Sequence, residues 1–238
     1  MKFFRTLARN ILVQRFGYTH KEAVEIIASG RLLINGKPAG QQQEIHESDN
    51  VELDGKLILE GKKYFYIAYH KPPGVECTLN TNISDNLLEA IQLNEKFFPV
   101  GRLDKASEGL MLLTNDGFLC SDVIGNEHSQ EKEYEVVVDR YISDEALQAL
   151  ASGVMVMGQL TKPAKVVRIG EKEFRIVLTQ GLNRQIRRMC HKVGVEVVKL
   201  KRIRIVTLLL GELPLGEWKY LTTEELNTLK SSVTIEQN

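Results

Sequence analysis

Residues 101–117 read GRLDKASEGLMLLTNDG. The apolar run Leu110-Met111-Leu112-Leu113, closed by the turn signal Asn115-Asp116-Gly117, suits a short buried strand. Ahead of it lies the compact corner Gly101-Arg102-Leu103-Asp104. That corner places Asp104 near the start of the buried strand, with Arg102 two residues before it. Carboxylates are seldom buried without a partner, and an unpaired one is costly. Asp104 is therefore a candidate for chemistry, and it calls for a cation beside it.

Working outward toward the N-terminus, residues 64–69 have strand composition and run into the turn Lys71-Pro72-Pro73-Gly74. Glu60-Gly61-Lys62-Lys63 reads as a linker. Before it, two hairpins turn at Asn35-Gly36 and Asp54-Gly55. A helix is expected from Thr19, where Thr19-x-x-Glu22 matches a capping box; Ala23, Ile26 and Ile27 form its apolar side and Gly30 its stop. An earlier helix is expected from Phe4, Leu7, Ala8, Ile11 and Leu12, with Lys2, Arg5 and Arg9 on another face.

Toward the C-terminus, residues 131–138, EKEYEVVV, alternate as a strand. Lys132, Tyr134 and Val136 fall on one face, Glu133, Glu135 and Val137 on the other. Residues 143–150 read as a helix with acids in its first turn, and 166–169 and 174–179 as strands. Residues 180–193, QGLNRQIRRMCHKV, form a helix whose apolar face is Leu182, Ile186, Met189, Cys190 and Val193. Beyond it, basic and apolar residues interleave in strand fashion to about residue 210. Thr222-x-x-Glu225 caps a last helix, and the final eight or so residues read as frayed.

At 238 residues the chain has material for one large domain or two smaller ones. Its 31 basic and 31 acidic residues balance, so global charge does not point to nucleic acid. The basic residues are nevertheless segregated. Between positions 184 and 204, Arg184, Arg187, Arg188, Lys192, Lys199, Lys201, Arg202 and Arg204 face Glu196 alone, a net +7 that the remainder offsets with −7. Such a stripe is the electrostatic footprint of a nucleic-acid binder. Cys77, Cys120 and Cys190 make no CxxC and predict free thiols in a reducing cytoplasm. His20, His46, His70, His128 and His191 lack ligand spacing, so no metal is implied. Arg5, Arg9 and Arg15 argue against a targeting peptide at the N-terminus, and no stretch approaches a membrane span.

Several of these strings together resemble one family. GRLD at 101–104, KPPG at 71–74, K-x-Y-x-V at 132–136, NRQIRRM at 183–189 and PLGEW at 214–218 resemble motifs of the bacterial ribosomal RNA pseudouridine synthases. The motifs are most similar to those of the B/E/F group, which acts on large-subunit ribosomal RNA, and to type F above all. Residues 2–59, with the hairpin RLLINGKPA at 31–39, resemble the small alpha-L RNA-binding motif of a ribosomal protein and several RNA-modifying enzymes. Where that motif usually carries an Arg-rich segment, this chain has the less basic Thr19-His20-Lys21. The resemblance implies an α+β fold in two domains. An alpha-L RNA-binding domain would span about 1–60, and a catalytic domain with a mixed, largely antiparallel sheet about 63–230.

It also implies a reaction: isomerisation of uridine to pseudouridine in large-subunit ribosomal RNA, with a transfer RNA as the other substrate to consider. The uracil–ribose C–N bond breaks, the base rotates and rejoins through carbon 5, and no cofactor is required. In the family the Asp of GRLD is essential, here Asp104. A carboxylate there can act as nucleophile at the anomeric carbon or as base on the adjacent carbon. The Arg of Q-I-R, here Arg187, pairs with the carboxylate, orients it and favours its charged form. The Tyr of K-x-Y, here Tyr134, supplies the flat partner that an extruded base needs. Asp104, Tyr134 and Arg187 are thus the candidate catalytic residues.

Arg102 would displace the target base or hold the backbone. Phosphate contacts would come from Arg184, Arg188, Lys192, Lys199, Lys201, Arg202 and Arg204, and from Arg5, Arg9, Lys21 and Arg31 in the N-terminal module. A monomer suffices. The alternative class is a non-catalytic RNA-binding or ribosome-assembly protein in which GRLD is only a structural corner. Such a protein has no reason to gather Asp104, Arg187 and Tyr134, whereas the synthase requires Asp104 and Arg187 within about 8 Å.

Overall fold

The computed structural model describes residues 5–124 and 130–234, and the chain separates into two units, residues 1–64 and 65–238. In the first, the strand Arg5–Leu7 pairs antiparallel with Glu44–His46 before the helix Ala8–Phe16 begins. The helix expected from Phe4 onward therefore starts later, because residues 5–7 are drawn into a ladder. Ala8, Ile11 and Leu12 carry its buried face. Lys2 and Phe4 lie outside the described residues, as does the side chain of Arg5.

The helix His20–Ala28 has the full capping box. The Glu22 N–H donates to Thr19 Oγ1 at 3.3 Å and the Thr19 N–H to Glu22 Oε2 at 2.7 Å. Both expected hairpins form, Leu32–Ile34 with Lys37–Pro38 and Val51–Leu53 with Lys56–Leu59. Asn35, Gly36, Asp54 and Gly55 all have positive φ, as a two-residue hairpin turn requires.

The second unit is built on one mixed sheet. From edge to edge its strands are Lys165–Gly170, Glu173–Leu178, Lys132–Val138, Val197–Ile205, Glu108–Thr114, Tyr66–Lys71 and Trp218–Tyr220. Phe98–Val100 and Leu208–Leu209 add to Glu108–Thr114 and Val197–Ile205 respectively. Among the described residues every pairing in this sheet is antiparallel except one: Val197–Ile205 runs parallel to Glu108–Thr114, with Lys201 beside Glu108 and Arg202 beside Gly109. Leu110, Met111, Leu112 and Leu113 are all 0% exposed, so this apolar run is a central strand of the sheet.

Helices pack by the faces their spacing gives them. Gln185–Lys192 is shorter than the expected 180–193, because Arg184 takes the left-handed region at its N-cap. Ile186, Met189 and Cys190 still bury against Val136, Phe174 and Leu200, with Leu182 and Val193 flanking. Asp144–Ser152 is capped by Ser143, whose hydroxyl accepts the Ala146 N–H. The last helix, Thr223–Thr234, extends further than the frayed tail anticipated, since Leu229 and Val233 are buried. Two apolar clusters fill the unit, one around Val136, Phe174 and Met189, the other around Ile67, Tyr69 and Met111; Tyr134 packs against both. Among the described residues no helix is long and apolar enough to cross a membrane.

Candidate active site

The Asp104 corner is held from below. The Ser107 N–H donates to the Asp104 carbonyl at 2.9 Å, closing a tight turn. Lys71, the first residue of the KPPG turn, is fully buried. Its ammonium donates to the carbonyls of Ser107 at 2.8 Å, Pro72 at 2.9 Å and Lys105 at 3.3 Å, which uses all three of its donors. Burial pulls its pKa down. The Gly74 N–H adds a bond to the Lys105 carbonyl. The two Pro-Gly and GRLD corners are therefore one structure, clamped by a lysine.

The helix Gln185–Lys192 brings Arg187 to this corner. Its Nη2 donates to Ser107 Oγ at 3.2 Å and the Ala106 carbonyl at 3.3 Å, and its Nη1 to the Val197 carbonyl at 3.1 Å. So fixed, its Nε stands 3.7 Å from Asp104 Oδ2, and Arg184 Nη1 stands 3.8 Å from the same oxygen. Burial, then the charge of Arg184, lower the pKa of Arg187, and Asp104 opposes them. At these distances the contacts are ion pairs, longer than hydrogen bonds. Among the described residues no hydrogen bond engages the Asp104 carboxylate, whose side chain is 26% exposed.

The carboxylate borders a cavity of about 690 Å³, within the usual range for small-molecule sites. Gly101, Arg102, Leu103, Asp104 and Ser107 form one wall, residues 178–186 another, and Lys132, Tyr134, Leu200 and Arg202 the sheet between them. Tyr134 is half-buried and sits directly across from Arg202 on the neighbouring strand, so both side chains share one face. Lys132, two residues earlier, is on that face too. Burial, reinforced by the charge of Arg202, pushes the Lys132 pKa down to about 8. Arg187 does not line the cavity; it backs Asp104 from behind.

The basic stripe is less uniform in space than along the chain. Arg202 is 2% exposed and is no surface cation. Arg204 is spoken for by Glu133 at 2.8 Å and Glu131 at 3.0 Å, and Lys199 by Glu108 at 3.2 Å. Cross-strand acids, invisible in a charge count along the chain, neutralise these positions. Lys201 is half-buried; Arg102, Arg184, Arg188 and Lys192 are exposed. In the first unit Lys21 is exposed, Arg31 forms a two-pronged bond to Asp54, and Arg9 is half-buried.

Residues 65–192 match the family model described as RNA pseudouridylate synthase. The chain belongs to this family. It is 43% identical over 212 residues to the "Dual-specificity RNA pseudouridine synthase RluF" of Salmonella typhi, covering 87% of this chain and 73% of that one. It is 30% identical over 222 residues to the "Ribosomal large subunit pseudouridine synthase B" of Bacillus subtilis, covering 90% and 91%. Among solved structures it resembles one titled "Crystal structure of pseudouridylate synthase", with a TM-score of 0.66, 26% identity, and coverage of 94% of this chain and 99% of that one.

The chain is thus an RNA pseudouridine synthase, an isomerase of uridine in RNA. Four residues of the synthase's cavity region escaped the sequence reading. Lys71 stands in the KPPG turn and motif, but its sequence context gives it no role of its own. Ser107 carries no signal beyond its place between Asp104 and the strand. Lys132 was placed on Tyr134's face without a role. Gly109 matters because its φ is +119° and an added Cβ would lie 2.3 Å from the Arg202 carbonyl oxygen; a glycine entering a strand is the hint.

Proposed function

We propose that this synthase converts a specific uridine of large-subunit ribosomal RNA to pseudouridine, acting as a monomer in the cytoplasm. The observation that carries the reading is the meeting of Asp104 and Tyr134 in one nucleotide-sized cavity, with Arg187 directly behind the carboxylate. The target nucleotide leaves its stack and enters the cavity with its uracil against Tyr134. Asp104 then acts on the ribose, held in aim by Arg187, whose own fork is locked by Ser107, Ala106 and Val197. As nucleophile it bonds to the anomeric carbon while the C–N electron pair departs with the base; as base it takes the proton of the neighbouring carbon with the same departure. The base rotates, and as carbon 5 bonds to the anomeric carbon the bond to Asp104 breaks or, in the second route, Asp104 returns its proton to the neighbouring carbon. The carbon-5 proton is then lost, and the former ring nitrogen regains one.

Arg102 and the exposed cations Arg184, Arg188 and Lys192 hold phosphates, which position the RNA without reading it. Residues 1–64, with the capped helix and paired hairpins of an alpha-L RNA-binding domain, contribute further RNA contacts.

Tritium release from RNA labelled at uracil carbon 5 tests this directly, with large-subunit ribosomal RNA and transfer RNA as separate substrates. Stoichiometric release from the ribosomal RNA is the expected result. Release from transfer RNA alone would move the substrate, and release from neither would return the chain to the RNA-binding or assembly class.

A further inference from the structure

Arg202 is a buried guanidinium with an unusual set of partners. Its Nε donates to the Leu110 carbonyl at 2.7 Å and its Nη1 reaches the Arg102 carbonyl at 3.4 Å. Its Nη2 is buried and, among the described residues, has no hydrogen-bond partner. Lys132 stands on the same sheet face, and its ammonium donates to the Gln130 carbonyl at 3.0 Å. Asp104 and Glu76 also line the cavity, yet among the described residues neither cation forms an ion pair with a carboxylate. Burying a charge without a partner is costly. Two cations without an anionic partner on the sheet wall of one cavity, Lys132 half-buried and Arg202 buried with an orphaned donor, mark a place for an anionic acceptor.

The reaction proposed for this cavity supplies one. Whether Asp104 attacks the anomeric carbon or removes the adjacent proton, the C–N bond breaks with its electron pair on the base. Uracil is therefore released as an anion whose charge spreads over the ring nitrogen and the two carbonyl oxygens. We propose that Arg202 and Lys132 form the subsite that receives the detached uracil as this anion and stabilises it until carbon 5 rejoins the sugar. The subsite rests on the assignment of the cavity as the synthase's active site. Tyr134, across from Arg202, holds the ring flat while the cations hold its oxygens. Preorganised donors aimed at developing charge are a large contribution to catalysis in a water-poor site.

Leaving-group chemistry gives the test. RNA is transcribed with uridine or with 5-fluorouridine, whose fluorine makes the departing base a weaker base and a better leaving group. Single-turnover loss of the original nucleoside is followed by nuclease digestion and chromatography. Lys132→Met and Arg202→Gln are each expected to slow cleavage of uridine by roughly 10²–10³-fold, and of 5-fluorouridine by at least about tenfold less. RNA affinity should stay unchanged. Equal losses on the two substrates, or no loss, would overturn the subsite. Lys132 is only half-buried, so Lys132→Met decides the matter if Arg202→Gln fails to fold. Asp104→Asn is the control: full activity in that variant would topple the active-site assignment itself. An inactive Asp104→Asn beside equal losses in the two cation variants would remove the subsite alone.

Discussion

Asp104 sits in a corner that Lys71, Ser107 and Arg187 hold in place. Arg187 acts on it through a fork committed to Ser107, Ala106 and Val197. A lysine at 187 keeps the charge but cannot make that planar set. Arg187→Lys should therefore lower kcat by about 10- to 100-fold with little change in KM, the pattern of an interaction felt in the transition state; an effect on KM alone would make Arg187 an RNA contact instead. Lys132 adds a pH signature. Burial disfavours its charged form, so the folded chain holds fewer protons than the unfolded one between about pH 8 and the ordinary lysine range. Its unfavourable contribution to stability is fully present below about pH 8 and is relieved above it. Activity has the opposite sign: cleavage should fall as pH rises through about 8, and Lys132→Arg, which stays charged, should flatten that fall. The meeting of Asp104 with Arg187 was legible because contiguous motifs carry both residues. The fate of Arg202 was not, because only a strand crossing buries it.

That crossing belongs to the scale of elements. The parallel pairing of Val197–Ile205 with Glu108–Thr114 brings Arg202 over Gly109, where the backbones approach too closely for any Cβ. Gly109→Ala should destabilise the synthase by at least about 2 kcal/mol, read from chemical denaturation, and should lower activity even where the chain remains folded. A neutral substitution would mean that the strands part easily. Strands 132–138 and 108–114, the capped helices and the two N-terminal hairpins could be read because their signals are local: alternation, apolar runs, capping boxes and Asn-Gly or Asp-Gly turns. The first helix was read too long because the ladder between Arg5–Leu7 and Glu44–His46 joins residues far apart in sequence. The charge stripe was overcounted for the same reason. Lys199 and Arg204 meet their acids across strands, and no window along the chain contains both partners.

At the scale of the whole molecule, balanced net charge and a local basic surface coexist. With the exposed cations Arg102, Arg184, Arg188 and Lys192 assigned to phosphates in the second unit, RNA affinity should fall with salt at a log–log slope of about −3 to −4 from these positions. Lys192→Gln should shallow the slope by about one. Retention of affinity from low to high salt would contradict phosphate binding altogether. The family, the sheet type and the reaction class were readable from a handful of motifs spread over the chain, three of which, GRLD, K-x-Y-x-V and NRQIRRM, supply residues that line the cavity. The identity of the modified uridine lies in surface shape and RNA structure, which no motif spells.

The most direct test of the account replaces one atom group. Asp104→Asn keeps the size of the side chain and removes its charge, while Lys71, Ser107 and Arg187 continue to hold the corner. Tritium release from carbon-5-labelled large-subunit ribosomal RNA, measured under single turnover beside RNA affinity, should fall by at least about 10³-fold with binding intact. Release at the wild-type rate would mean that the carboxylate in this cavity is not the group that breaks the C–N bond.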